Sequence, residues 1–200
     1  GTSEANDMAP PISLVTGGNK GIGFAVARSL GSLGHRVLLG SRDPGRGRDA
    51  VESLRDQGLD VHLIELVTTD DRSVAAAVAT IDRDHGRLDV LINNAAVKLD
   101  NSPMLPSESS VELVRETYET NVFGTIRVML AMLPLLRRSE APRIVNVSSG
   151  LGSMALATTP GTMYFGHALL GYCTSKAALN SVTVQFANEL RNTAFKVNIA

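Results

Sequence analysis

Short runs of β-branched and leucine-rich residues alternate with stretches of helical period along almost the whole chain. Runs at 12–16, 36–40, 61–66, 90–93 and 143–148 read as buried strands. Between and after them, 21–33, 48–57, 73–83, 109–137 and 171–191 repeat apolar residues at three- and four-residue spacing, as helices do. Strands alternating with helices of this length predict βαβ units, and right-handed crossovers then leave few topologies. The expected architecture is an α/β, Rossmann-like, doubly wound parallel sheet. No repeat or low-complexity linker divides the chain, so 11–200 is expected to be a single domain behind a flexible leader at 1–10.

With 200 residues there is enough chain for a buried core. The 19 Lys and Arg residues balance 20 Asp and Glu, a net charge of −1, which argues against a nucleic-acid partner. The single cysteine, Cys173, forms no internal disulfide, and a reducing, cytoplasmic location is the expectation. Cys173 reads as a small packed side chain rather than a redox sensor. The apolar stretch from Val128 to Leu136 is too short to span a bilayer and contains Pro134; it reads as the buried face of a helix, and no membrane partner is expected. His35, His62, His85 and His167 are scattered, with no metal-ligand spacing, and no metal is expected.

The sharpest local signal is the loop Thr16-Gly17-Gly18-Asn19-Lys20-Gly21-Ile22-Gly23, which follows the first strand and opens the first helix. Gly17 permits the turn, Gly21 removes a Cβ where backbone must approach a pyrophosphate, and Gly23 allows close helix–strand packing. The helix N-terminus then presents unpaired N–H groups and a positive dipole end to phosphates. In this setting the loop reads as a dinucleotide site rather than an ordinary turn. The second strand ends in Ser41-Arg42 where an NAD site places an acidic residue. Arg42 can hold a 2′-phosphate by charge-assisted hydrogen bonds, and Lys20 adds a second positive charge, so NADP(H) is favoured. Asp43 is expected to point away or to cap the next helix.

Early in the last helical segment, Tyr172 and Lys176 stand four residues apart, on one helical face. A phenol titrates near ~10 and needs help to exchange protons near neutrality. A neighbouring ammonium lowers that pKa, so Tyr172 is a candidate general acid and Lys176 its electrostatic tuner.

Taken together and in this order, these motifs resemble the short-chain dehydrogenase/reductase family, and within it the NADPH-dependent carbonyl reductases. The resemblance extends over nearly all of the chain after Pro11 and implies hydride transfer between NADP(H) and a small-molecule carbonyl or alcohol substrate. It places Asn93-Asn94-Ala95-Ala96 at the end of the fourth strand, steadying the sheet, with Asn94 and Ala95 beside the cofactor. It makes Asn121 the support of a water link to the catalytic lysine and Ser149 the donor to the substrate carbonyl. Tyr172 would protonate the alkoxide, and Lys176 would also bind the nicotinamide ribose. Asn19 and Ile22 join the cofactor loop on the same ground. The alternatives are an NADP-dependent alcohol dehydrogenase and a non-catalytic NADP(H)-sensing protein.

The pattern departs from the family in four places. Val67 stands where an adenine-contacting Asp is usual; a backbone N–H there would have to serve, and Asp70 is expected to cap a helix near Ser73. Ala96 replaces a usual Gly. The long span between Ser149 and Tyr172, with Pro160-Gly161 in it, reads as an aperiodic insertion over the substrate pocket. Within it Tyr164 and His167 either contact substrate or pack. It abuts helices that the family buries between subunits, which leaves both a monomer and a homo-oligomer open. Finally, the chain stops at a sixth strand beginning near Phe195, so it is expected to be a truncated fragment lacking a C-terminal lobe.

Overall fold

A computed structural model of the chain describes residues 9–101 and 104–200; most of the expected leader, residues 1–8, lies outside the described residues. Six strands form one parallel sheet: β1 (Ile12–Val15), β2 (Arg36–Ser41), β3 (Val61–Glu65), β4 (Val90–Asn93), β5 (Arg143–Asn146) and β6 (Lys196–Ile199), in the order β3-β2-β1-β4-β5-β6. The order reverses between β1 and β4, and the crevice beyond the strand ends at such a point is where α/β folds bind ligands. The register aligns Val15 with both Leu39 and Ile92, and Ile92 with Val145, so the strand ends converge on that crevice.

Alternate residues of the central strands enter two different cores. Leu14, Leu38, Leu91 and Ile144 face one layer, packed with Met129, Met132 and Leu136 of α5 (Thr125–Leu136) and Ile81 of α3 (Asp71–His85). Val15, Leu39 and Ile92 face the other, packed with Ala27 of α1 (Gly21–Ser32) and Leu54 of α2 (Pro44–Arg55). Each such fully buried aliphatic side chain is worth about 1.5–3 kcal/mol, which makes both faces of the central strands sources of stability. The sequence expectation of strands buried on two sides holds.

Helix boundaries differ where a cap decides them. α2 starts at Pro44, ahead of the expected 48, because the Asp43 carboxylate accepts from the Arg46 N–H at 3.0 Å and Pro44 suits the first helical position. The stretch expected as one helix over 109–137 is three pieces: α4 (Val111–Tyr118), a π-helical turn (Glu119–Gly124) and α5. Such a turn shifts the helix register and often marks a functional site; this one carries Asn121. Pro134 lies inside α5, and Val128, Met129, Met132, Leu133, Leu135 and Leu136 are buried, as read from sequence. The insertion is not wholly aperiodic: Ser153 caps a short α6 (Met154–Thr158), after which Gly161 turns with φ +87°. α7 (Leu170–Leu190) follows and packs on β6.

Candidate active site

β1 hands the chain into the glycine loop through Thr16, whose hydroxyl accepts from the backbone N–H groups of Asn94 and Ala95, both at 3.0 Å. The Asn94 side chain returns the connection, donating to the carbonyls of Thr16 (3.2 Å) and Gly17 (3.1 Å). The ends of β1 and β4 are thereby laced together. A Cβ on Gly23 would stand 2.4 Å from both the Gly17 carbonyl oxygen and Asn94 Nδ2, so only glycine lets α1 come this close. Gly21 has φ +56° and a would-be Cβ with nothing within 4 Å, a bare stretch of backbone facing open space. Lys20 precedes α1 as an exposed residue whose side chain makes no cap, so no side chain satisfies the first N–H groups of the helix there. Asn19 lies half-buried in the loop, and Ile22 is exposed. Uncapped N–H groups, a positive dipole end and free volume over Gly21 fit a pyrophosphate.

At the end of β2, Ser41 is buried and its hydroxyl donates to the Asp43 carbonyl at 2.8 Å, so it builds the turn. Arg42 is exposed and makes no ion pair among the described residues. The Asp43 carboxylate caps α2, and the Arg46 N–H it accepts from is the chief reason its pKa lies below the usual carboxylate value. The acidic group beside Arg42 is therefore committed to the helix, as expected. Asp70 likewise caps α3, accepting from the Arg72 N–H at 3.0 Å. The Val67 N–H itself is engaged by Ser73 Oγ at 2.8 Å, so a backbone N–H serving adenine here would have to come from a neighbouring residue. Ala96 in place of glycine strains nothing, since no described non-glycine residue has positive φ.

Beyond β5, Ser149 opens a 3-10 turn over Gly150–Gly152, its hydroxyl accepting from the Leu151 N–H at 3.1 Å. Tyr172 and Lys176 lie in the first turns of α7. Lys176 is only 3% exposed; its Nζ donates to the Val147 carbonyl at 2.9 Å and lies 5.7 Å from the centroid of the Tyr172 ring. Burial without an anionic partner lowers its pKa to about 8. The Tyr172 phenol is pushed up by burial, with the Ser149 hydroxyl beside it working the other way. The structure thus brings Ser149, Tyr172 and Lys176 together but corrects the expected electrostatics. Burial of the phenol outweighs its neighbours, and its pKa is raised rather than lowered.

Asn121 is buried with three hydrogen bonds on its amide: Oδ1 accepts from the Val97 N–H at 2.8 Å, and Nδ2 donates to the Val97 carbonyl (2.8 Å) and Ser175 Oγ (3.1 Å). None of these bonds leads to Lys176; they fasten the segment after β4 to α7. Two further polar strings fix the floor of the site. Asn93 Nδ2 donates to Asn146 Oδ1, and Asn146 Nδ2 donates to Thr183 Oγ1, each at 2.9 Å, joining β4 and β5 to α7. Ser148 Oγ and Asn180 Oδ1 meet at 2.6 Å. Asp100 and Asn180 went unread in the sequence because their partners are distant in the chain, and Ser175 because its bond from Asn121 crosses 54 positions.

A cleft of about 610 Å3 runs from Ile22 and Val26 of α1, over Ile92, Val145 and Val147, to Ser149 and Gly150. Its walls include neither Tyr172 nor Lys176. Tyr164 of the insertion lies against the Gly150 backbone, where a Cβ would be 2.3 Å from its Cζ, so this tyrosine packs at the cleft margin; His167 is exposed.

A family model described as short chain dehydrogenase matches residues 11–200. A short-chain dehydrogenase/reductase of Aspergillus fumigatus is 38% identical over 180 residues, covering 86% of this chain and 66% of the relative. Carbonyl reductase [NADPH] 1 of Sus scrofa is 40% identical over 146 residues, covering 72% of this chain and 49% of that protein. The chain thus spans roughly half to two-thirds of the length of these relatives. Among solved structures, the NADP active-site complex of Pseudomonas aeruginosa RhlG superposes with a TM-score of 0.84 at 28% identity, over 96% of this chain and 72% of that one. The glycine loop, the six-stranded order and the matched length agree: this chain belongs to the short-chain dehydrogenase/reductase family of oxidoreductases.

Proposed function

We propose that the chain carries the cofactor site and proton-transfer groups of an NADP(H)-dependent reductase converting a ketone or aldehyde to an alcohol. The observation that carries this reading is the grouping of the Ser149 hydroxyl, just beyond β5, with the Tyr172 hydroxyl at the start of α7 and the buried Lys176 ammonium 5.7 Å from the phenol ring. The glycine loop from Gly17 to Gly23, with Asn94 and Ala95, would hold the pyrophosphate and the nicotinamide side. Arg42 and Lys20, both exposed, would take the 2′-phosphate, with Ser41 shaping the turn beneath. The Sus scrofa relative is named for NADPH and the RhlG complex holds NADP, which supports the same cofactor here. When bound, the nicotinamide supplies the hydride.

This chain's own residues supply position and a proton. Ser149 donates a hydrogen bond to the substrate carbonyl oxygen, where negative charge develops. Tyr172, protonated at neutral pH as any phenol is, gives its proton to that oxygen. Lys176 donates one hydrogen bond to the Val147 carbonyl and keeps two N–H donors for the ribose and for the phenolate left after transfer. No metal takes part in this scheme. The test is a screen of ketones, aldehydes and quinones with NADPH and NADH side by side. Consumption of NADPH at least about tenfold faster than NADH is expected from one lost charge-assisted contact. A preference for NADH, or no reduction of any carbonyl while NADPH binds, would contradict it.

A further inference from the structure

α7 begins without a capping side chain of its own: Leu169 stands at the cap position and makes no such bond. Its first N–H groups nevertheless have partners. The Gly171 N–H donates to Asp100 Oδ1 at 3.0 Å, and the Tyr172 N–H donates to Asp100 Oδ2 at 2.8 Å, so a carboxylate 71 residues earlier in the chain does the work of a local cap. Asp100 is 3% exposed and has no cationic partner among the described residues. A carboxylate is costly to bury, and the N-terminal end of a helix dipole with two converging N–H donors is what compensates it here. The packing is shaped for this arrangement. A Cβ on Gly171 would approach Thr117 Oγ1 of α4 at 3.0 Å and Asp100 Oδ2 at 3.3 Å, so the small residue lets the helix start close over the carboxylate.

Asp100 also lies on a short strap with several anchors. The strap leaves β4 at Asn94 and Ala95, which are tied to Thr16 of the glycine loop. It is clamped at Val97 by Asn121 and ends on the backbone of Tyr172. We propose that Asp100 is a positioning residue: by holding the Tyr172 N–H, it fixes the phenol relative to Ser149 and to the glycine loop. Its two carboxylate oxygens are engaged by backbone N–H groups, so its effect passes through the backbone of Tyr172. The inference rests on Tyr172 being the proton donor proposed above.

The test compares Asp100→Ala and Asp100→Asn with the native chain. Four quantities are read: kcat, KM, NADPH affinity by fluorescence, and hydrogen exchange at the Gly171 and Tyr172 amides. Asp100→Ala is expected to lower kcat by on the order of 10²-fold, the effect of misplacing a reacting group by an ångström, with KM and NADPH affinity within about threefold. Both amides are expected to exchange at least about tenfold faster. Asp100→Asn keeps one acceptor oxygen, so its kcat should fall between the two. A merely structural role would lower the melting temperature and leave kcat per folded molecule unchanged, and that result overturns the proposal. Should the alanine variant fail to fold, the asparagine variant decides on the same readings. Exchange needs no turnover: if the native chain reduces no carbonyl, the proposed function fails, and unchanged protection at the two amides would separately refute the cap.

Discussion

The beginning of α1 and the beginning of α7 both place residues of the site, yet they are held in opposite ways. The first is local: a strand, a turn and a helix within a dozen residues, closed by the fit of Gly23 against Gly17. The second is assembled from a distance, with Asp100 on its N–H groups, Asn121 on Ser175 and the Val147 carbonyl on Lys176. The first region offers backbone N–H groups that fit a pyrophosphate, with the Thr16 hydroxyl and the Asn94 amide tying its turn to the end of β4. The second needs Asp100 beyond β4, Asn121 of the π-helical turn and the Val147 carbonyl just after β5 to hold the start of α7 in place. Under the proposed function the first region sets cofactor affinity and the second sets rate, so the two should respond differently to substitution.

The largest effect that sharpens this contrast is expected at the first region. Gly23→Ala puts a Cβ 2.4 Å from the Gly17 carbonyl oxygen, so the backbone of the loop has to move. Overpacking of this kind is expected to cost about 2–3 kcal/mol of stability and to weaken NADPH binding by more than about tenfold. Thermal unfolding and fluorescence titration read the two. Unchanged values in both would break the claim that this helix start is fixed by contact.

A smaller effect is expected at the second region, in the cofactor-free protein. The Lys176 pKa of about 8 lies below its ordinary 10.5. Below pH 8 the group is charged in both folded and unfolded chains, and the folded state bears the full penalty of burial. Between about 8 and 10.5 the unfolded chain binds more protons, so the contribution of Lys176 to stability improves as pH rises; above 10.5 both forms are neutral and the penalty is gone. Lys176→Met removes the penalty and also the bond to Val147, for a net gain of about 2 kcal/mol at pH 7 that shrinks toward pH 10.5. Chemical denaturation of both proteins across that range measures it. A variant less stable than the native chain at pH 7, or a gap that does not close, contradicts the burial argument.

The same contrast explains what could be read from sequence. Strand runs such as 36–40 and 90–93 announce themselves because both faces are buried, and the glycine loop because its constraints lie within eight residues. Asp43 and Asp70 were legible as caps for the same reason: each precedes its helix. Asp100 was not, because its two hydrogen bonds cross 71 and 72 positions and its neighbours carry no cap signature. The π-helical turn was hidden inside a continuous apolar period, since one extra residue per turn barely disturbs the pattern. The electrostatics of Tyr172 were misread because i,i+4 spacing shows proximity to Lys176 but not burial, and burial decides the sign. α6 was missed because five residues are too few to show a period.

Proton delivery by the phenol at residue 172 is tested most directly by Tyr172→Phe, the loss of one oxygen atom. NADPH binding, measured by fluorescence, and turnover, measured by NADPH consumption with an accepted carbonyl substrate, are followed on the same preparation. Unchanged NADPH affinity with turnover lowered by about 10²–10⁴-fold is the expected result for removal of a general acid. Turnover within about threefold of the native chain would show that another group delivers the proton.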